Sequence, residues 1–288
     1  MAPQASRAGR VRTGRGTVTD MTDAAASSPT ELPYDPHAHL RTDAVQFIDI
    51  VTKYGFEHPV PSCPDWNLGD LAWHLGNVWS RWGRIVSEGI TTPDRVQAIE
   101  RPVRPSDELL IDWVTAAHTG LSSALASTSD DTEVWTWTGS NQPEVWVERR
   151  MTQETAMHRW DASIAVGIPY EIPAAVAADG IDEFLMWFAA HRLPDAEPIG
   201  GSVHLHCTDT DSDVNEGSDD RSAAHGEWLV KHLDGSGIEF TREHAKGDAA
   251  VRGRANDLLL WLWRREGGPV EILGDTAVAE RFRAFPDL

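Results

Sequence analysis

The chain has 288 residues, 41% of them hydrophobic, which is enough to bury the core of two modest domains or one large one. A formal net charge of −20 repels phosphate groups, so neither nucleic acid nor an anionic membrane is expected as a partner. No apolar run approaches the ~20 residues that span a bilayer, and the run at residues 258–263 is far too short, so we expect a protein that works in solution.

The first residues are rich in Arg, Gly, Ser and Thr and lack the apolar core of a secretory signal. This composition predicts a disordered N-terminal extension over residues 1–34, with Met21 as an alternative start. Another interpretation of the arginines in this segment is a targeting or nucleic-acid-binding arm, which we consider weaker.

Hydrophobic residues then recur at helical spacing from Asp35 to about residue 190. One helix begins after Asn67, a good N-cap, with Asp70 three residues later in a variant of the capping box. Four or five amphipathic helices with modest connections predict a helical bundle over residues 35–195. The other predicted helices cover residues 39–54, 106–127, 147–166 and 174–191.

After Pro198 apolar residues alternate with polar ones, which is typical of strands. Short strands and two helices predict a small mixed α+β domain over residues 198–288. Between the first two strands, residues 209–220 carry six acidic side chains, but they lack the ligand spacing of an EF-hand, so a solvated hairpin loop is expected. The predicted strands lie at residues 203–207, 228–232, 238–240, 249–251 and 270–273, and the helices at 256–265 and 276–285.

The two cysteines, Cys63 and Cys207, lie in different halves of the chain and suggest no disulfide framework. Reduced thiols predict a cytoplasmic protein. Cys63 has no base near it in the sequence, so we interpret it as a packed cysteine and not as a nucleophile.

The helix predicted at residues 147–166 carries ionisable groups among apolar ones. Glu154, His158 and Asp161 share a helix face with Met151. Burying such groups bare costs several kcal/mol or more, so they must be paired, protonated or bound to a metal. Glu154 and His158 are an i,i+4 pair, so both can point at one ion.

A catalytic zinc site usually takes three protein ligands and keeps one position open. His74, one turn from Leu71 and Val78 on the flank of an apolar helix face, is the best candidate for the third ligand. On spacing alone two ordinary interpretations remain: a core histidine with hydrogen-bond partners, and a surface Glu–His pair.

Two motifs in order, CPDWNLGDLAWHL at residues 63–75 and ETAMHRWDA at residues 154–162, resemble the mycothiol-dependent maleylpyruvate isomerase family. The resemblance covers most of the chain after about Pro36. It includes GDAAVRGRANDLLLWLWRR and VEILGD near the end, which resemble a C-terminal domain akin to sterol carrier proteins. It implies a DinB-like four-helix bundle followed by a small mixed α+β domain.

The same resemblance implies site residues. The family's zinc ligands fall on His74, Glu154 and His158, all intact in this sequence. The family's C-terminal arginine, which helps to hold an anionic substrate, falls on Arg264 or Arg265, where the usual Gly-Arg is replaced by Arg-Arg. For Asp161 we expect a role in orienting a ligand or anchoring an arginine, with a simple buried salt bridge as the alternative.

The implied activity is that of an enzyme with a thiol cofactor, mycothiol, activated at Zn²⁺. In the isomerase the thiolate adds to the cis double bond of maleylpyruvate, the new single bond rotates, and elimination leaves the trans product. Related members are thiol S-transferases, and both reactions share thiolate attack on an electrophilic carbon. The expected partners are therefore a small thiol and a small electrophile.

Two rival hypotheses keep the triad of His74, Glu154 and His158 as metal ligands. In one, the chain is a non-catalytic metal-binding bundle that acts as a regulatory or interaction protein. In the other, the site holds Fe(II), because two histidines and one carboxylate also suit non-haem iron. The oligomeric state and the identity of the electrophile are not predicted.

Overall fold

A computed structural model describes residues 32–189, 196–210, 226–233 and 237–288 of the chain. Residues 1–31 lie outside this part, so the predicted N-terminal extension stays a prediction there. Most of the acidic segment at residues 209–220 also lies outside it. Tyr34, at the end of the predicted extension, donates a hydrogen bond of 2.6 Å to Asp179.

Four long helices form the N-terminal bundle, close to the bounds that the periodicity predicts. A short helix and two small hairpins, which the sequence patterns do not indicate, lie in the connections between them. The elements are α1 (Pro36–Tyr54), β1 (Pro59–Val60), β2 (Cys63–Asn67), α2 (Leu68–Ser87), α3 (Pro93–Gln97), α4 (Asp107–Ser127), β3 (Glu133–Val134), β4 (Gln142–Pro143) and α5 (Glu144–Ala165).

The predicted capping box starts α2. The Asn67 side chain accepts from the Asp70 backbone N–H at 2.9 Å, and Asp70 accepts from the Asn67 backbone N–H at 3.2 Å. These bonds satisfy backbone donors that no residue inside the helix can reach. The start of α2 is thereby fixed, and with it the turn on which His74 lies.

The second half of the described chain forms α6 (Ala174–Trp187) and a five-stranded sheet with two more helices. The strand order is β7-β6-β5-β8-β9, in which β5 runs antiparallel to β6 and parallel to β8. This architecture confirms the predicted fold class, a helical bundle followed by a mixed α+β unit. The remaining elements are β5 (Ser202–Cys207), β6 (Glu227–Leu233), β7 (Gly237–Thr241), β8 (Ala249–Gly253), α7 (Ala255–Leu262), β9 (Glu271–Gly274) and α8 (Thr276–Ala284).

Two apolar cores hold the molecule together. The first lies inside the bundle and includes Phe47, Leu75 and Trp79. The second joins α5 and α6 to the sheet with its helices, so Met157 of the bundle shares a core with Leu259 of α7. The predicted division of the chain at residues 195 and 198 stays a prediction, but α6 packs in the same core as the sheet.

Helix α7 ends three residues earlier than the sequence pattern predicts. Arg264 has φ 57°, in the left-handed region, and the chain turns there. The Arg264 N–H donates to Trp261 O at 3.1 Å and the Arg265 N–H to Leu260 O at 2.9 Å, which is the hydrogen-bond pair of a Schellman motif. The turn carries Arg265 back toward the bundle.

In the part of the chain that the structure covers, none of the helices has the length and apolar character needed to cross a lipid bilayer.

Two helical glycines provide a test of the packing between α2 and α4. A Cβ at Gly76 would lie 2.3 Å from the ring of Trp113, which itself packs on Trp73, whereas a Cβ at Gly120 would meet nothing within 4 Å. We expect Gly76→Ala to destabilise the fold by roughly 1–3 kcal/mol through overpacking. Gly120→Ala should stabilise it by up to about 1 kcal/mol through helix propensity. Urea unfolding of both variants measures this, and equal effects would contradict the close contact.

Candidate metal centre and its cavity

Helices α2 and α5 bring together the three residues predicted as metal ligands. His74 Nε2 lies 3.2 Å from Glu154 Oε1, and His158 Nε2 lies 3.4 Å from the same oxygen. The two imidazole rings stand edge to face with centroids 5.0 Å apart. Glu154 and His158 meet because they are one turn apart on α5, but only the packing of α2 on α5 brings in His74.

The spacing of these ligand atoms suits a metal ion. All three lie within 4.8 Å of one another. Ligands about 2.0–2.1 Å from a tetrahedral zinc ion stand roughly 3.3 Å apart, close to the two distances from Glu154. Two imidazole nitrogens and one carboxylate oxygen also match the chemistry of a zinc or non-haem iron site. The residues present therefore fit the ion that the sequence resemblance implies.

Asp161 lies directly behind His158 and is fully buried. His158 Nδ1 donates to Asp161 Oδ2 at 2.8 Å, which leaves Nε2 as the atom that faces Glu154. Ser62 donates to the other carboxylate oxygen at 2.6 Å. A carboxylate that holds the second nitrogen of a metal-binding histidine fixes the orientation of the ring and its tautomer. The position of Asp161 is thus the one expected of a group that orients a ligand.

Arg265 reaches Asp161 from the C-terminal half of the chain, 104 residues away in sequence. Its Nε donates to Oδ1 at 2.7 Å and its Nη2 to Oδ2 at 2.8 Å, a two-point contact between guanidinium and carboxylate. Burial acts to raise the pKa of Asp161, but the charge of Arg265 and the hydrogen bonds of Arg265 and His158 outweigh it and hold this pKa far below its usual value. The carboxylate is therefore ionised.

The carboxylates of Asp161 and Glu154 favour a positive charge on the imidazole of His158. Burial on its own would lower the pKa of His158, but hydrogen bonds to the Asp161 and Glu154 carboxylates raise it to about 9. Burial likewise opposes ionisation of Glu154, while hydrogen bonds from His158 and His74 and the charge of Arg150 hold its pKa well below the usual value. A proton or a metal ion between Glu154 and His158 would supply the charge that this environment stabilises.

Arg150 links Glu154 of the triad to α6. Its guanidinium donates to Glu154 Oε2 and also to Glu183, and all three side chains are buried or nearly so. Glu154 Oε1 is left to face the two histidines. Arg150 therefore acts on the centre by fixing the rotamer of Glu154.

The triad opens into a cavity of about 340 Å³, the size of a small-molecule site. Trp66 covers one side of His74, with ring centroids 5.0 Å apart. Cys63 lines the wall half-buried, and burial raises the pKa of its thiol. The apolar part of the wall includes Trp66, Met157, Leu259 and Trp263.

Both arginines of the Arg-Arg pair line this cavity, in different ways. Arg265 is almost buried and donates to Asp161 and to Trp263 O. Arg264 is exposed, and its guanidinium donates to the backbone carbonyls of Arg283, Ala284 and Pro286. Arg264 occupies the left-handed position that favours glycine. The chain turns there, and it is Arg265 whose guanidinium reaches Asp161, the carboxylate behind His158.

Sequence patterns did not identify several groups of this site. Arg150 stands one turn before Glu154 on the same helix, and this i,i+4 spacing is a signal that was available. Glu183 and Trp263 come from elements far from the triad residues in the chain, and no local pattern marks them as neighbours of the triad. Cys63 lies in the same motif as His74, but the sequence pattern gives it no role at the site.

Comparisons with known proteins agree on one family. Residues 37–163 match the family model of the mycothiol maleylpyruvate isomerase N-terminal domain, and residues 175–281 match that of the MDMPI C-terminal domain. No curated protein matches the sequence significantly.

Two solved structures share the fold. One is a crystal structure of the mycothiol-dependent maleylpyruvate isomerase, with a TM-score of 0.53 and 11% identity over 82% of this chain and 91% of that chain. The other is a histidine-to-alanine mutant of the mycothiol-dependent maleylpyruvate isomerase, with a TM-score of 0.51 and 10% identity over 78% of this chain and 86% of that chain. At these identities the likeness concerns the fold.

The two arginines should differ in their effect on stability. Arg265→Leu leaves the buried Asp161 carboxylate without its cationic partner, so we expect a loss of roughly 3–5 kcal/mol in the free energy of unfolding. Arg264→Gly removes an exposed guanidinium and places glycine at a left-handed position, so its loss should be much smaller. Chemical unfolding of both variants measures the difference, and a larger loss for Arg264→Gly would contradict the assignment.

Proposed function

Since the chain belongs to the mycothiol-dependent maleylpyruvate isomerase family of enzymes, we propose that it is a zinc-dependent enzyme that uses mycothiol to attack a small electrophile. The observation that carries this proposal is the convergence of His74, Glu154 and His158 on one point at the wall of the cavity. A site with three protein ligands keeps a position for an exogenous ligand, as catalytic zinc sites do, whereas structural sites are closed by four.

When bound, zinc lowers the pKa of a coordinated thiol, so that the thiolate is available at neutral pH. In this proposal His74 Nε2, His158 Nε2 and a Glu154 oxygen hold the ion. Asp161 keeps Nδ1 of His158 protonated, and Arg150 keeps Glu154 ionised and oriented. The network around the triad thus sets its geometry before any ligand arrives.

The electrophile would bind above the triad, where the apolar wall and the arginines meet. Arg264 and Arg265 give this end of the cavity positive charge, which supports an anionic substrate. The donors of Arg265 already bond Asp161 and Trp263 O, so we propose that Arg265 acts by holding Asp161. Arg264 is exposed, and only its Nε and Nη2 bond backbone carbonyls among the described residues, so its Nη1 is the better candidate for contact with a substrate anion.

The proposed chemical step is attack of the thiolate on an electrophilic carbon. In an isomerisation of maleylpyruvate, the carbon–sulfur bond forms as the cis double bond becomes single, rotation follows, and loss of the thiolate restores the double bond in the trans form. In an S-transferase the carbon–sulfur bond is kept: either a leaving group departs from the carbon with its electron pair, or the carbanion formed by addition takes up a proton. We propose a cytoplasmic location for either reaction, because the two cysteines of the sequence lie in different halves of the chain and suggest no disulfide framework.

Removal of one proposed ligand tests the function. His74→Ala should lose the metal of the triad and mycothiol-dependent turnover together, because two protein ligands hold zinc poorly. His58→Ala, a histidine whose ring packs on Tyr54 away from the cavity, is the matched control and should keep both. The measurements are metal content after purification under argon, which separates zinc from iron, and thiol consumption with maleylpyruvate and a panel of electrophiles.

Retention of turnover in His74→Ala would overturn the proposed mechanism. A loaded wild-type protein that turns over no thiol with any electrophile would favour the non-catalytic hypothesis.

A second experiment tests the role of Asp161. Asp161→Asn keeps the size of the side chain but weakens its hold on His158, and loss of such a partner typically lowers metal affinity by about 10–100-fold. Asp65→Asn changes an exposed carboxylate at the same cavity and should leave the affinity unchanged. Competition with a chromophoric chelator measures both. Equal affinities for the wild type and Asp161→Asn would refute the orienting role.

A further inference from the structure

A second cluster of imidazoles lies in the C-terminal half, on the opposite face of the sheet from its apolar core. Along β5 the side chains of Val203, Leu205 and Cys207 enter the core, whereas His204 and His206 point to the other face. This follows from the alternation of side chains along a strand. The cluster is therefore separated from the cavity of the triad by the sheet itself.

Two further residues complete this cluster. Glu227, at the start of β6, pairs in register with His206. His244 lies in the segment that follows β7. Residues from two neighbouring strands and one connecting segment thus meet at a single place.

The ligand atoms converge on the Glu227 carboxylate. His204 Nε2 and His244 Nδ1 lie 2.9 Å and 2.5 Å from Oε2, and His206 Nδ1 lies 3.4 Å from Oε1. One nitrogen from each histidine and one carboxylate oxygen all lie within 4.8 Å of one another. The ring centroids of the three histidines are 5.4–6.3 Å apart.

We propose that His204, His206, His244 and Glu227 form a second metal site, which binds a divalent transition ion of the zinc class. Imidazole nitrogen and carboxylate oxygen are ligands that zinc accepts, and four of them suffice for its tetrahedral shell. Ligands about 2.0–2.1 Å from such an ion stand roughly 3.3 Å apart, so small side-chain movements complete the shell.

The chemistry of the donor set argues for an ion and against simple hydrogen bonding. Three imidazoles converge on one carboxylate, and two of them share a single oxygen. Arg252 of β8 pairs in register with His206 of β5, but the carboxylate nearest to its guanidinium is that of Glu271, at 4.0 Å. Glu227 is thus the acidic group that meets the three histidines, and one divalent ion would bind all four side chains at once.

Four protein ligands leave no coordination position for a substrate, so this site differs in kind from the triad. His204 and Glu227 are largely buried, His206 is partly exposed, and the side chain of His244 is 77% exposed. An ion here would tie β5 and β6 to the segment after β7. The expected role is stabilisation of the sheet, in addition to the function proposed for the triad and independent of it.

Metal counting on the full chain, purified without a histidine tag, tests the proposal. Chelator-stripped protein is dialysed against Zn²⁺, and bound zinc is measured by mass spectrometry. We expect two equivalents in the wild type, one in His74→Ala and one in the double variant His206→Ala with His244→Ala. The combined triple variant should bind none. Lys246→Ala, an exposed residue of the same segment, is the matched control and should keep two.

Two further measurements in the His74→Ala background report on the second site alone. X-ray absorption of bound zinc should give a shell of nitrogen and oxygen with imidazole scattering. Zinc should also raise the melting temperature of His74→Ala, and this shift should vanish when His206 and His244 are replaced. Both replaced residues are partly or largely exposed, so the variant should fold.

A stoichiometry of one in the wild type that falls to zero in His74→Ala would overturn the second site and leave the triad intact. The reverse pattern, one equivalent kept in His74→Ala and lost in the double variant, would support the second site while contradicting the proposed zinc of the triad. Retention of two equivalents in the double variant would also overturn it.

Discussion

The site depends on one buried ion pair, between Arg265 and Asp161. Asp161 has no access to solvent, so its charge is tolerated only because a guanidinium, the His158 imidazole and the Ser62 hydroxyl all bond to it. The same contact links the C-terminal unit to the bundle. The orientation of His158 is consequently set by a residue from the far end of the chain, and the two halves cannot separate without exposing the pair.

A second series of ion pairs orients Glu154. Glu183 of α6 bonds Arg150, and Arg150 bonds Glu154, whose remaining oxygen faces both histidines. Each proposed ligand on α5 therefore contacts a charged side chain, Asp161 for His158 and Arg150 for Glu154. Each of these two side chains forms an ion pair with a residue outside the four bundle helices. Such support limits rotamer freedom at the centre, which a metal site requires.

The sheet of the C-terminal half has a different use on each face. One face packs against helices and supports the wall of the cavity through Leu259. The other face carries the cluster of His204, His206, His244 and Glu227. The alternation of side chains in β5 makes both possible within six residues, since apolar and ligating groups point in opposite directions.

Local patterns in the sequence determined the helices of the bundle, the start of α2 at its capping box and the strands of the C-terminal sheet. Each of these features depends on residues that are close together in the chain. Local patterns also placed Glu154 and His158 on one face, since i,i+4 spacing is a property of a single helix. Tertiary structure alone decided that Arg265 contacts Asp161, that Glu183 holds Arg150 and that His244 joins His204, because residues far apart in the chain meet only when packing of the apolar cores brings their elements together. It also decided the end of α7, where the left-handed turn at Arg264 directs Arg265 back to the centre.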